Sequence, residues 1–268
     1  MVKDRYKEDK EFEELISVNS DMEINKIKKE ITSILPKDIK IISKNESQKN
    51  LIKSIKKNEI TICAGPAGTG KTYVAMAYAL SLLRKAGNRF KKIYLVKSVT
   101  TLKGEEVGFI KGDLRDKIDP AMWSFYINIK KMILKNSLDV LLTQEIIEPV
   151  PLAYIKGASL DDCIIIADEM QNVSIDNSRT LLTRLGSNSK LIVLGDTNQI
   201  DLRNKNESSL EVLLDLFNEI EKIGVIKMSE KDTNVRNPLI NLIEDKYKEY
   251  MVVHKTNGNG NGKRQLNS

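Results

Sequence analysis

An α/β fold, a mainly parallel sheet flanked by helices, is what this 268-residue sequence predicts. Two observations carry that reading. From Ile60 onward, apolar bursts of four to six residues alternate with longer amphipathic stretches, the rhythm of βαβ units. The first burst runs into "AGPAGTGKT", whose spacing Gly65-x-x-x-x-Gly70-Lys71-Thr72 suits a glycine-rich turn between a strand and a helix. A chain of this length holds one full α/β domain with appendages, or two small domains.

Taken in order, residues 1–42 are charged with scattered apolar positions. "FEELISV" and "INKIKKEITSIL" read as pieces of an N-terminal helical extension, broken at Pro36. The strand bursts are "ITICAG", "KKIYLVKS", "EIIEPV", "CIIIAD", "KLIVLGD" and "GVIKMSE". Between the first two lies "TYVAMAYALSLLRKAG", a helix closed by Gly87. "DPAMWSFYINIKKMILK" predicts a second helix, capped by Asp119 with Pro120 in its first position. "SIDNSRTLLTRLG", "ESSLEVLLDLFNEI" and "NPLINLIEDKYKEY" follow the last three bursts as helices. Residues 253–268, rich in Gly and Asn, have the composition of a disordered tail.

Forty-three basic against 37 acidic residues leave a net charge of +6 and a pI near 9.0. That balance suits either a polyanionic partner or a solvated basic surface. The longest apolar runs are far too short to span a bilayer, and the charged N-terminus lacks the core of a secretion signal. Cys63 and Cys163 sit in apolar bursts and read as buried, reduced thiols; a single His254 argues against histidine-based metal or triad chemistry. The expected address is the cytoplasm. The Lys-, Asn- and Ile-rich usage fits an AT-rich genome such as a phage's, in which case the address is the host cytoplasm.

The chemistry concentrates at strand ends. Gly65, Gly68 and Gly70 leave room for backbone N–H groups to wrap a phosphate, with Pro66, Ala67 and Thr69 completing the loop. The following helix N-terminus adds partial positive charge. Lys71 is placed to bridge the β- and γ-phosphates, and the Thr72 hydroxyl to hold Mg2+. We expect Lys71 at the surface of the site. In "CIIIADE", four apolar residues bring Asp168 to the carboxyl end of a buried strand, where it would join the magnesium shell. Glu169 is placed to orient and deprotonate an attacking water, or is an exposed strand-end acid. In "LIVLGDTNQID", Asp196, Asn198 and Gln199 either sense the γ-phosphate or simply form a turn. Upstream, the Gln48 amide could pair with both edges of adenine, or be a solvated helix residue.

Together these stretches resemble the PhoH-like ATPase family, a group of P-loop NTPases whose core is similar to the first motor domain of superfamily 1 helicases. The resemblance runs from about Ser43 to Tyr250 and rests on "GPAGTGKTYVAMA", "GEEVGFIKGDLRDKIDP", "PLAYIKGASLDDCIIIADEMQN", "LLTRLGSNSKLIVLGDTNQIDL" and "VRNPLI". It implies a RecA-like ATPase domain over residues 43–252, dependence on ATP and Mg2+, and an adenine-reading Gln48. It further implies phosphate and metal roles for Lys71, Thr72, Asp168 and Glu169, with Gln171 and Gln199 near the γ-phosphate. Arg236 matches the family's C-terminal arginine and would act as an arginine finger in a neighbour's site, if subunits form a ring; otherwise it is a structural residue before Pro238. Two departures stand out: Lys97 and Ser98 replace the family's Arg-Pro after the second strand, and the approach to Arg236 is longer than usual. The leading residues are too few for the nuclease domain of some relatives and lack an acidic metal cluster.

The expected function is Mg-dependent ATP hydrolysis coupled to single-stranded RNA or DNA, RNA favoured, by a homo-oligomeric ring such as a hexamer. The alternative is a nucleotide-gated module acting on a protein partner. A small-molecule kinase lacks an evident acceptor pocket. Lys97, Lys103, Lys111 and Arg115 are phosphate-contact candidates or solvated cations. Trp123 and Tyr126 are aromatics for base stacking, or core residues on an apolar helical face.

Overall fold

The computed structural model describes residues 25–85, 90–98 and 114–229, together with Met22, Gly87 and scattered positions between 239 and 250. Six strands form one sheet in the order β3-β2-β4-β5-β1-β6, and every pairing is parallel. They are β1 (Ile60–Ala64), β2 (Lys92–Lys97), β3 (Ile147–Pro151), β4 (Cys163–Asp168), β5 (Lys190–Gly195) and β6 (Ile223–Lys227). Each coincides with one of the six apolar bursts. The central ones are apolar throughout because both faces are covered.

The two faces have separate cores, and the strands feed them alternately, as a two-residue period requires. Cys63, Ile93, Leu95, Ile164, Ile166, Ile192 and Leu194 point to one face. There they meet α2 (Glu46–Lys57), α3 (Lys71–Arg84), α4 (Leu114–Lys130) and α5 (Lys135–Thr143) through Leu51, Leu80, Phe125 and Leu138. Ile62, Val96, Ile165, Leu191 and Val193 point the other way, onto Leu181 of α6 (Ile175–Leu182) and Leu210 of α7 (Ser209–Leu216). A leading helix, α1 at 25–34, adds Ile31 to the first core. It is tied down by Lys28 Nζ on the Leu83 carbonyl at 2.7 Å, and just beyond it the Leu35 carbonyl takes Arg84 Nε at 3.2 Å.

Local signals account for several helix ends. Asn45 caps α2, accepting from the Gln48 N–H. Ser174 caps α6 in the same way through Asn177. The Lys85 N–H closes α3, and Gly87 follows with φ of 80°, a left-handed turn that suits glycine. The region after β2 departs from expectation. α4 begins at Leu114, so Asp119 and Pro120 lie inside it; a proline forfeits its own hydrogen bond there without ending the helix. The helix also stops at Lys130, and what reads as its last turn leads into a separate helix, α5.

Trp123 is a second departure. The buried stripe of α4 is Met122, Phe125, Tyr126 and Ile129, so Trp123, about 100° around the helix, is 59% exposed while Tyr126 is buried. The Lys130 ammonium lies 5.5 Å from the Trp123 ring centroid, a cation–π pair. Lys103, Lys111, Arg236, residues 1–21 and the tail 253–268 lie outside the described residues, and Arg115 falls in the first turn of α4. Among the described residues, no helix is long and apolar enough to cross a membrane.

Candidate functional site

Parallel strands deliver their carboxyl ends to one edge, and the register decides which residues meet there. Ala64 pairs with Gly195, and Lys97 with Asp168. Because β5 lies between β1 and β4, Asp196 emerges between the phosphate loop and the Asp168–Glu169 pair. A cavity of about 390 Å³ opens at this edge. Gln48, Ala67, Gly68, Gly70, Lys71, Thr72, Asp168, Glu169, Asp196 and Gln199 all border it. Gly65, Pro66 and Asn198 border an adjacent cavity on the other side of the loop.

The loop keeps its shape through tight approaches. A Cβ on Gly65 would fall 2.6 Å from the Met228 Cβ just beyond β6, so only glycine lets the strands close. Gly70 sits at φ of 80° as the N-cap of α3. Thr69 is fully buried and donates its hydroxyl to the Pro66 carbonyl at 2.9 Å.

Lys71 borders the cavity and is at the same time nearly buried, only 8% exposed. Its long stem folds back so that Nζ donates to the carbonyls of Gly65 at 2.5 Å and Pro66 at 2.9 Å. Burial lowers its pKa, opposed by the charges of Asp168, Asp196 and Glu169 and by Cys63. The Ala67 N–H is held by the Asp196 carboxylate at 3.0 Å. Asp196 also accepts from the Asn198 N–H at 2.9 Å, so the turn and the tie to the loop are one structure.

Thr72 Oγ1 donates to Asp168 Oδ2 at 2.9 Å. Burial pushes the Asp168 carboxyl up, Glu169 reinforces this, and the Thr72 hydroxyl and Lys97 oppose it. A hydroxyl and a buried carboxylate are hard oxygen donors, the set that suits Mg2+ completed by phosphate oxygens and water. Among the described residues, no group of three or more His, Cys, Asp or Glu gathers to hold a metal. The two thiols are buried and unpaired; burial raises Cys63 to about 12 and Cys163 to about 11.

Glu169 adopts a left-handed backbone at φ of 57°, uncommon for a side chain of its size. Its carboxylate accepts from Gln171 Nε2 at 2.7 Å. Gln171, 1% exposed, is the hub of this corner. The same Nε2 donates to the Gln199 carbonyl at 3.1 Å, while Oε1 accepts the Asp196 N–H at 3.0 Å. A second rung follows. Asn172 and Asp201 exchange bonds of 3.1 and 2.7 Å, lacing the exit of β4 to the exit of β5.

Gln48 reaches the cavity wall but is 2% exposed, with both halves of its amide engaged by backbone. Sequence reasoning missed Ile42, Lys44, Tyr73, Asn128 and Lys131, which also border the cavity. No motif marks them; they arrive through the packing of α2, α3 and α4. Lys97 is half-buried beside Asp168, with Nζ 3.4 Å from Ser124 Oγ.

A phosphate loop at a strand–helix junction, an acidic strand end beside it and β5 between them define a P-loop NTPase with a RecA-like sheet. The chain belongs to the PhoH-like family, whose model matches residues 40–248. It is 37% identical over 204 residues to the PhoH-like protein of Bacillus subtilis (strain 168), covering 76% of this chain and 63% of that one. Protein PhoH of Escherichia coli (strain K12) is 31% identical over 195 residues, 72% of this chain and 54% of that one. This chain therefore spans less than two thirds of the length of these relatives. Among solved structures, it is similar to the large terminase from a thermophilic bacteriophage. That match covers 76% of this chain and 49% of the other, at 11% identity and a TM-score of 0.44.

Proposed function

We propose that this protein binds and hydrolyses ATP with Mg2+ and uses the turnover to bind or remodel single-stranded nucleic acid, RNA more than DNA. The observation that carries the hydrolytic part is the Glu169 carboxylate, set at the cavity edge beside Asp168 and held by the buried Gln171 amide. A site built only to hold nucleotide has no need of a braced carboxylate there. In this reading Thr72 and Asp168 hold Mg2+, which when bound neutralises charge on the phosphates. Lys71 leaves the loop carbonyls for the phosphate oxygens. Glu169 orients the attacking water and takes its proton, and Gln199 lies near the γ-phosphate. Ile42 and Tyr73 offer apolar surface for the base.

The basic charge and the exposed Trp123, with the Lys130 ammonium beside its ring, support a polyanionic, base-stacking partner. A motor domain of this kind needs a neighbour to turn hydrolysis into movement, and further copies of this chain would supply it; we place the protein in a cytoplasmic homo-oligomeric ring, a hexamer in the simplest case. Arg236 would reach into the adjoining site.

Hydrolysis by wild type and Glu169→Gln, each with and without single-stranded RNA or DNA, tests the proposal. We expect stimulation by nucleic acid and a loss of about a hundredfold or more in the variant, with ATP binding retained. Hydrolysis indifferent to nucleic acid would move the substrate to a protein partner. An unimpaired variant would remove Glu169 from the chemistry.

A further inference from the structure

Gln48 occupies the first turn of α2 (Glu46–Lys57), against the phosphate loop. Its Oε1 accepts the Lys44 backbone N–H at 2.7 Å, and its Nε2 donates to the Thr69 carbonyl at 2.8 Å. Because both partners are backbone groups of fixed polarity, the amide has only one orientation that satisfies them. Its own N–H is taken by the Asn45 side chain at 2.8 Å. The residue is 2% exposed although it borders the nucleotide cavity.

From this geometry we infer that Gln48 is a positioning residue for the phosphate loop and does not read the base. The inference rests on the cavity taking a nucleoside triphosphate. Thr69 stands two residues before Lys71, and its carbonyl belongs to the turn that launches α3 (Lys71–Arg84). Pinning that carbonyl to the chain at Lys44 fixes the direction in which the Gly70, Lys71 and Thr72 N–H groups point. Those groups meet phosphate, whatever base is attached. An adenine approaching the Gln48 amide edge would have to take its place from the Lys44 N–H or the Thr69 carbonyl, leaving a buried backbone group unpaired. The strap therefore contributes to triphosphate affinity and not to the choice between ATP and GTP.

Inorganic tripolyphosphate, which has no base, separates the two roles. Its affinity, with those of ATP and GTP, is measured by displacement of a fluorescent ATP analogue in the presence of Mg2+. The proteins are wild type, Gln48→Ala and Gln48→Glu. Gln48→Glu keeps the acceptor for Lys44 but sets a carboxylate oxygen against the Thr69 carbonyl; it breaks the loop bond and adds a negative charge at the cavity wall, which Gln48→Ala does not. We expect each variant to weaken ATP, GTP and tripolyphosphate by one common factor, about tenfold, the equivalent of one buried hydrogen bond. A variant that loses ATP but holds tripolyphosphate at wild-type affinity would overturn the inference and restore Gln48 as an adenine reader. A lowered melting temperature with all three affinities unchanged would also overturn it, leaving Gln48 a purely structural role. Wild-type protein that binds none of the three would sink the triphosphate reading itself, and this inference with it.

Discussion

In the proposed reaction, Lys71 has two tasks that pull in opposite directions. It is a nearly buried cation whose ammonium is held by two carbonyls of its own loop, and burial disfavours its charge. Against phosphate the same charge is needed. Replacing it with an apolar chain of similar reach should therefore separate stability from binding. Lys71→Met is expected to abolish ATP binding while shifting the melting temperature by less than about 4 °C, roughly 1 kcal/mol at this size. Calorimetry and nucleotide titration on one preparation would check both. A variant that fails to fold would mean that the ammonium-to-carbonyl bonds are a structural requirement of the loop. The motif spacing placed Lys71 beside phosphate, but it could not show that the side chain folds back on Gly65 and Pro66. That depends on which acceptors the folded loop turns inward.

Between elements, the corner joining the exits of β4 and β5 is the most heavily bonded part of the site. Gln171 spans it with one amide, touching Glu169, the Asp196 N–H and the Gln199 carbonyl. Gly195 leaves room for that amide, because a Cβ would lie 2.6 Å from both Gln171 Oε1 and a Leu210 methyl. Gln171→Met preserves the volume but leaves the Asp196 N–H unpaired and Glu169 unbraced. We expect a stability loss of about 1–3 kcal/mol in denaturant unfolding. Turnover should fall about tenfold or more with KM little changed, as for a base that has lost its alignment. An unaltered kcat would show that Glu169 does not need the brace. The six strands were legible because each is a short apolar run, whereas the limits of α4 were not. Pro120 reads as a helix start and is instead inside the helix.

For the molecule as a whole, the proposed ring makes Arg236 complementary to a neighbour's loop. Arg236→Ala and Lys71→Met would each be inactive alone. When mixed, they should regain a fraction of wild-type ATP turnover, because some interfaces then pair an intact finger with an intact loop. No recovery in mixed oligomers would place Arg236 in its own subunit's site or remove it from catalysis.

The sequence by itself determined the α/β class, the strand set and the identity of the phosphate loop and acidic strand end. These features are written in stretches of a few residues, through apolar periodicity, glycine spacing and the position of charge after an apolar run. Only the tertiary structure decided that β5 separates β1 from β4 and that Trp123 faces solvent. It also decided that Ile42, Lys44, Tyr73, Asn128 and Lys131 share the cavity, and that the Gln48 amide is spent on Lys44 and Thr69. The reason is that a side-chain amide goes to whichever buried donor and acceptor most need pairing. Those groups come from segments far apart in the chain, and their meeting is a property of packing that no local pattern records.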